Sequence, residues 1–144
     1  MADWYGTARS NYFRVTDIEK FKELCSLWGI EFIRGTKPMC GVEEVDPGLV
    51  GFACGNGGLP NNRAASEDEG SGLELDFEAF LQELSGHLGE GEVAVMMEVG
   101  NEKLRYMTGI AYAINSRGEQ ATVSLYSIYE LAERLGKNVT KAEY

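Results

Sequence analysis

Ile18, Phe21, Leu24, Cys25 and Trp28 recur at steps of three and four, which sets them on one face of a helix. Thr16-Asp17-Ile18-Glu19 has the spacing of a capping box with Thr16 as N-cap, and Gly29 stands where a helix closes through a left-handed residue. A second face, Phe77, Phe80, Leu81, Leu84 and Leu88, predicts a helix over Phe77–His87 with Asp76 as its N-cap. Glu78 falls in its first turn, where the helix dipole favours negative charge. Leu125, Ile128, Tyr129, Ala132 and Leu135 form a third face, entered through Ser124 and closed by Gly136; Ser127 with Glu130 offers a rival start one turn later.

Between these helices the period drops to two, or to short apolar runs. Asn11–Val15, Ile30–Arg34 and Leu49–Cys54 read as strands, and Leu73–Leu75 as an extended entry to the second helix. Glu92–Val99 sets Val93, Val95, Met97 and Val99 on one face and uncharged Ala94 and Met96 on the other, the pattern of a central strand. Gly100-Asn101-Glu102 turns it into Lys103–Ile114, and Asn115-Ser116-Arg117-Gly118 turns that into Glu119–Val123, an antiparallel meander. Residues 35–48 and 59–72, rich in Gly, Pro, Asn and acids, read as loops, and Gly55-Asn56-Gly57-Gly58 as a tight turn. The order β-α-β-β-(β)-α-β-β-β-α predicts one α+β domain over residues 1–144. Its single, mainly antiparallel sheet carries the meander in its C-terminal half and is covered by about three helices. Its first six firm elements match a split β-α-β, ferredoxin-like variant.

Composition agrees with one core: 144 residues, 44% of them hydrophobic and 10% aromatic. Charge adds something the pattern does not. The chain carries −10, and Ala64–Glu102 alone holds eleven carboxylates with no Lys or Arg, so the remainder sums to +1. Such a balance disfavours direct binding to nucleic acid or to an anionic membrane and favours a basic partner. Cys25, Cys40 and Cys54 are odd in number and widely spaced, as free thiols in a reducing compartment would be. The start has neither a basic nor an apolar signal-peptide region, and no apolar run approaches the roughly 18 residues of a membrane span. The expected setting is the cytoplasm.

The densest acidic group, Glu67, Asp68, Glu69, Glu74, Asp76 and Glu78, is the candidate partner-binding site. Its plainer reading is a solvated loop and helix face. On extended backbone, Glu74, Asp76 and Glu78 would repeat every ~6.7 Å, about twice the axial rise per phosphate on one DNA strand, so the face could mimic nucleic acid toward a Lys/Arg groove. A helix starting after Asp76 would turn Glu78 out of that row. The same stretch aligns Glu67, Glu69, Ser71, Gly72 and Glu78 with positions of a calcium loop, but position 8 is Glu74 where an apolar residue belongs, and no helix precedes it. No metal or cofactor is therefore assigned.

Catalytic candidates are sparse, and a non-enzymatic role is favoured. The glycine turn follows a strand, but no helix and no Lys-Ser or Lys-Thr follows it, so a phosphate would lack its donors. His87, the only histidine, could pair with Cys54 as base and nucleophile, or join the cysteines around zinc; at a helix end it more simply caps carbonyls. Cys25 reads as a buried hydrophobe. Trp4, Tyr5, Arg9, Tyr12, Phe13 and Arg14 could stack bases, though a sheet edge with arginines paired to acids accounts for them better, and Tyr106 and Tyr112 read as packing residues.

Trp4-Tyr5-Gly6-Thr7-Ala8-Arg9-Ser10-Asn11-Tyr12-Phe13-Arg14-Val15 resembles the opening of a group of small bacterial proteins associated with phages and plasmids, and Asn138-Val139-Thr140-Lys141-Ala142-Glu143-Tyr144 resembles their ending. The resemblance covers about an eighth of the chain and brings no activity with it. It implies a mobile-element setting, in which small acidic proteins often inhibit nucleic-acid-binding host defences. The leading expectation is an acidic binding protein with a basic protein partner. The alternatives are a small enzyme or ligand-binding domain near Cys54 and Gly55–Gly58, and an assembly protein.

Overall fold

The computed structural model describes residues 4–35, 48–55, 58–60, 62–64, 74–102 and 106–142. Six strands form one antiparallel sheet: β1 (Trp4–Ser10), β2 (Glu31–Arg34), β3 (Val50–Cys54), β6 (Val93–Glu102), β7 (Tyr106–Asn115) and β8 (Gln120–Ser124). Their spatial order is β2-β3-β1-β6-β7-β8. β4 (Asn62–Ala64) and β5 (Glu74–Asp76) form a separate two-stranded ladder. The helices are α1 (Ile18–Trp28), α2 (Phe77–His87) and a short α3 (Ile128–Ala132), entered through a 3-10 turn at Leu125–Ser127. The fold is α+β as expected. β3 lies between β1 and β2, the two strands that α1 joins, which is the split β-α-β arrangement, and β6-β7-β8 extends it as the meander.

The first strand begins earlier than its pattern suggests. Trp4–Ser10 pairs with β6 along its whole length, whereas Asn11–Val15 makes only isolated bridges, Phe13 to Val50 and Val15 to Leu88. The core-facing positions of β1 are Gly6, Ala8 and Ser10, too small to show an apolar alternation. Asn11 then prolongs the ladder with its side chain: Nδ2 donates to the Val93 carbonyl and Oδ1 accepts from the Val95 N–H.

Asp17, not Thr16, caps α1, its carboxylate accepting from the Glu19 and Lys20 N–H groups. A charged acceptor suits the positive end of the helix dipole better than a hydroxyl. Thr16 instead donates its N–H to the carbonyl of His87 and so ties the end of α2 to the start of α1. Gly29 closes α1 at φ 68°, a conformation that strains any residue with a Cβ.

One face of the sheet and the inner faces of α1 and α2 make the core. Phe13, Phe21, Phe52 and Phe80 are fully buried, each stabilising by about 1.5–3 kcal/mol relative to exposure. Their rings meet edge to face, Phe13 on Phe21 at 5.5 Å, and Phe80 on Trp28 at 5.2 Å and on Phe52 at 5.6 Å. Ser10 is buried within this layer, its hydroxyl donating to the Asn11 carbonyl and accepting the Phe52 N–H.

Several boundaries shift. β6 runs through Gly100-Asn101-Glu102 instead of turning there. Leu59 is buried and residues 62–64 form β4, so part of the expected loop over 59–72 is ordered against its neighbours. Most of the expected loop over 35–48 lies outside the described residues. Gly58 donates to the Gly55 carbonyl at 3.1 Å, in keeping with a turn there. α3 is shorter than expected, and its expected face is not buried: Leu125, Ile128 and Leu135 are exposed, and Tyr129 and Ala132 only half-buried. Among the described residues no helix is long and apolar enough to cross a membrane.

Candidate functional site

The acidic group is organised by the junction of β5 and α2. Glu74 stands opposite Ala64, and Asp76 opposite Asn62, in the short ladder. Asp76 ends that strand and caps α2 through the Ala79 N–H at 3.1 Å. Phe77 and Phe80 anchor the helix start, Phe77 against Tyr112 at 4.8 Å and Phe80 in the core. Glu78 is exposed on the first turn and accepts from Gln82 Nε2 and, across to the edge strand, from Gln120 Nε2 at 3.0 Å. The extended row thus ends at Asp76, as the helix start requires, and Glu78 leaves it. Glu67, Asp68 and Glu69 lie outside the described residues, as do Ser71 and Gly72 of the calcium alignment.

The rest of the acidic stretch divides by what each carboxylate touches. Glu83 accepts the indole N–H of Trp28 at 2.6 Å and bridges α2 to α1. Glu92 accepts the backbone N–H of Arg14, and Glu98 that of Leu59, both at 2.7 Å. These three are half-buried, and their contacts fix chain segments distant in sequence. Asp76, Glu78 and Glu90 are exposed. Hydrogen bonds from neutral donors orient these carboxylates without cancelling their charge, and the nearest cation in sequence register is Arg63, opposite Leu75 in the same short ladder.

Cys54 and His87 occupy opposite ends of the sheet. Cys54 pairs across from Ala8, whereas His87 precedes Leu88, which bridges to Val15. Cys25 and Cys54 are free and buried, and Cys40 lies outside the described residues. Burial, then the nearby Glu98 carboxylate, pushes the Cys54 thiol up to about 11. Burial, then the charge of Cys54, pushes Cys25 up to about 12. Both are protonated core groups at neutral pH, the opposite of an activated nucleophile.

That placement has a measurable consequence. In the unfolded chain such thiols ionise near 9.0, while in the folded protein they hold their protons to about 11 and about 12. Above pH ~9 the unfolded state therefore binds fewer protons, and stability falls as pH rises through the folded values. A Cys25→Ala, Cys54→Ala double variant should show a shallower decline of the urea midpoint between about pH 8 and about pH 11. Equal slopes would show that these thiols do not contribute to alkaline lability.

The outer face of the sheet is the feature whose exposure sequence reasoning missed. The sharing of one face by Val93, Val95, Met97 and Val99 holds, but this is the bare face, and the core takes Ala94 and Met96. Met107 and Val123 on β7 and β8, and Leu125 beyond them, are also more than half exposed. Two apolar faces on one strand were the available signal, and burial on both sides was the natural inference from it. Comparison with protein-family models, with curated proteins and with solved structures finds no match.

Proposed function

We propose that this chain is a non-enzymatic binding protein whose acidic central segment engages a basic protein partner. The observation that carries this reading is the distribution of charge: eleven carboxylates and no Lys or Arg in Ala64–Glu102, within a chain whose remainder is nearly neutral. The exposure of Asp76 and Glu78 at an anchored helix start supports it, because a fixed array of charge steers and orients a partner better than a floppy one. The resemblance to phage- and plasmid-associated proteins extends the proposal to a nucleic-acid-binding host protein whose Lys/Arg groove the segment would occupy.

The test replaces six carboxylates. Glu67, Glu69, Glu74 and Glu78 become Gln, and Asp68 and Asp76 become Asn, which keeps an N-cap acceptor on α2. The unchanged chain should capture a basic protein from a bacterial lysate at low salt and release it as salt rises. The six-fold variant should keep its circular dichroism spectrum and lose that capture. Capture that survives the six changes, or that is indifferent to salt, would refute the acidic segment as the binding site.

A further inference from the structure

We propose that the bare face of the sheet is the interface of a homodimer, formed by two copies stacked sheet on sheet. This goes beyond the acidic segment and uses none of its residues. Val93, Met97, Val99, Met107, Val123 and Leu125 are between 46% and 59% exposed. Together they present on the order of 600 Å² of largely apolar surface, at the upper end of what monomers leave bare. Twice that area approaches the ~1,200 Å² at which specific interfaces begin. The face also differs in charge from the rest of this acidic chain. Among the described outward positions of β1, β6, β7 and β8, Arg9 is the one charged residue and no carboxylate appears. Two chains of −10 can approach through such a surface with the least mutual repulsion.

The register identifies the occupant as a second copy. Every outward pair from Val95 to Val99 joins a larger residue on β6 to a small one on β7: Val95 with Ala113, Met97 with Ala111, Val99 with Gly109. β6 is thus a ridge and β7 a furrow beside it. A shallow pit of about 220 Å³, lined by Met97, Val99, Ala111, Val123 and Leu125 among others, lies along that furrow. The Leu125 side chain closes one end, resting on Gly109, where an added Cβ would stand 2.8 Å from it. A two-fold axis running along the strands, between β6 and β7, lays the ridge of each copy over the furrow of the other. Because such an axis preserves height along the strand, Met97 of one copy meets Ala111 of the second, and the reverse contact follows by symmetry. Aligned sheets packed about 10 Å apart at roughly −30° are an ordinary solution for this geometry.

The test is the oligomeric state of the purified full-length chain by sedimentation velocity across a concentration series. The unchanged chain should sediment at twice its monomer mass, with association undiminished by added salt. Met97→Lys should raise the dissociation constant about 100-fold or more, since an ammonium would be buried directly opposite Arg9, on a face whose described outward positions offer no carboxylate. Ala111→Met should also break the dimer by filling the furrow, although it adds apolar surface. Leu27→Asp, an exposed position on α1, should leave the dimer intact. Circular dichroism and urea midpoints establish that each variant is folded. An unchanged chain that stays monomeric at high concentration would overturn the proposal. So would a dimer that tolerates Met97→Lys, or one strengthened by Ala111→Met, as a merely adhesive surface would be.

Discussion

Phe80→Ala should destabilise the fold by about 3–5 kcal/mol, lowering the urea midpoint by roughly 2 M. Phe80 is fully buried on α2 and touches Trp28 of α1, Phe52 of β3 and the neighbouring Phe77. Both helices and the sheet therefore meet on one ring, and truncation leaves a cavity that three rigid aromatic neighbours cannot close. A domain of this size typically has only about 5–15 kcal/mol in hand, so the variant should be close to marginal. Phe77→Ala is the comparison: Phe77 is half-buried and packs on Tyr112, and its loss should cost less. If the two variants lost equal stability, the core would not be centred on Phe80. The substitution should also reach the candidate site, because α2 holds Asp76 and Glu78 in place only while its inner face is packed.

The helices were legible for a physical reason. Each of α1 and α2 buries one face and caps itself locally, so all the information lies within a dozen consecutive residues. Asp76, Phe77 and His87 were placed correctly on that basis. β1 was hidden because its core side is Gly6, Ala8 and Ser10, and small residues carry no apolar signal. The acidic stretch could be counted but not sorted, because the sorting depends on donors far away in sequence: Trp28 for Glu83, Arg14 for Glu92, Leu59 for Glu98. The bare sheet face is a different case. Period two tells which residues of β6 share a face, yet only the direction in which α1 and α2 cross the sheet decides which face is covered. The apolar positions of α3 misled in the same way, since an amphipathic pattern predicts a helix but does not supply the surface that buries it.

Gly51→Ala should be nearly as damaging as the loss of a core side chain, at about 1–3 kcal/mol or more. A Cβ at this position of β3 would lie 2.6 Å from the Asn11 carbonyl oxygen and 2.8 Å from Ser10 Oγ. Neither atom is free to withdraw. The Asn11 backbone donates its N–H to Val95, and its side chain is bonded twice to β6. The Ser10 hydroxyl is held between the Asn11 carbonyl at 2.7 Å and the Phe52 N–H at 2.8 Å. Pushing it aside would leave a buried N–H of β3 without an acceptor, a further cost of about 1–3 kcal/mol. A double-mutant cycle separates the two collisions. Ser10→Ala alone should destabilise by removing the acceptor for Phe52. Combined with Gly51→Ala, it should cost less than the sum of the single changes, because one obstacle has gone while the Asn11 carbonyl remains. Additivity within about 0.5 kcal/mol would mean that Ser10 does not oppose a side chain at position 51, and that the close approach of β3 to the end of β1 is set by the backbone alone.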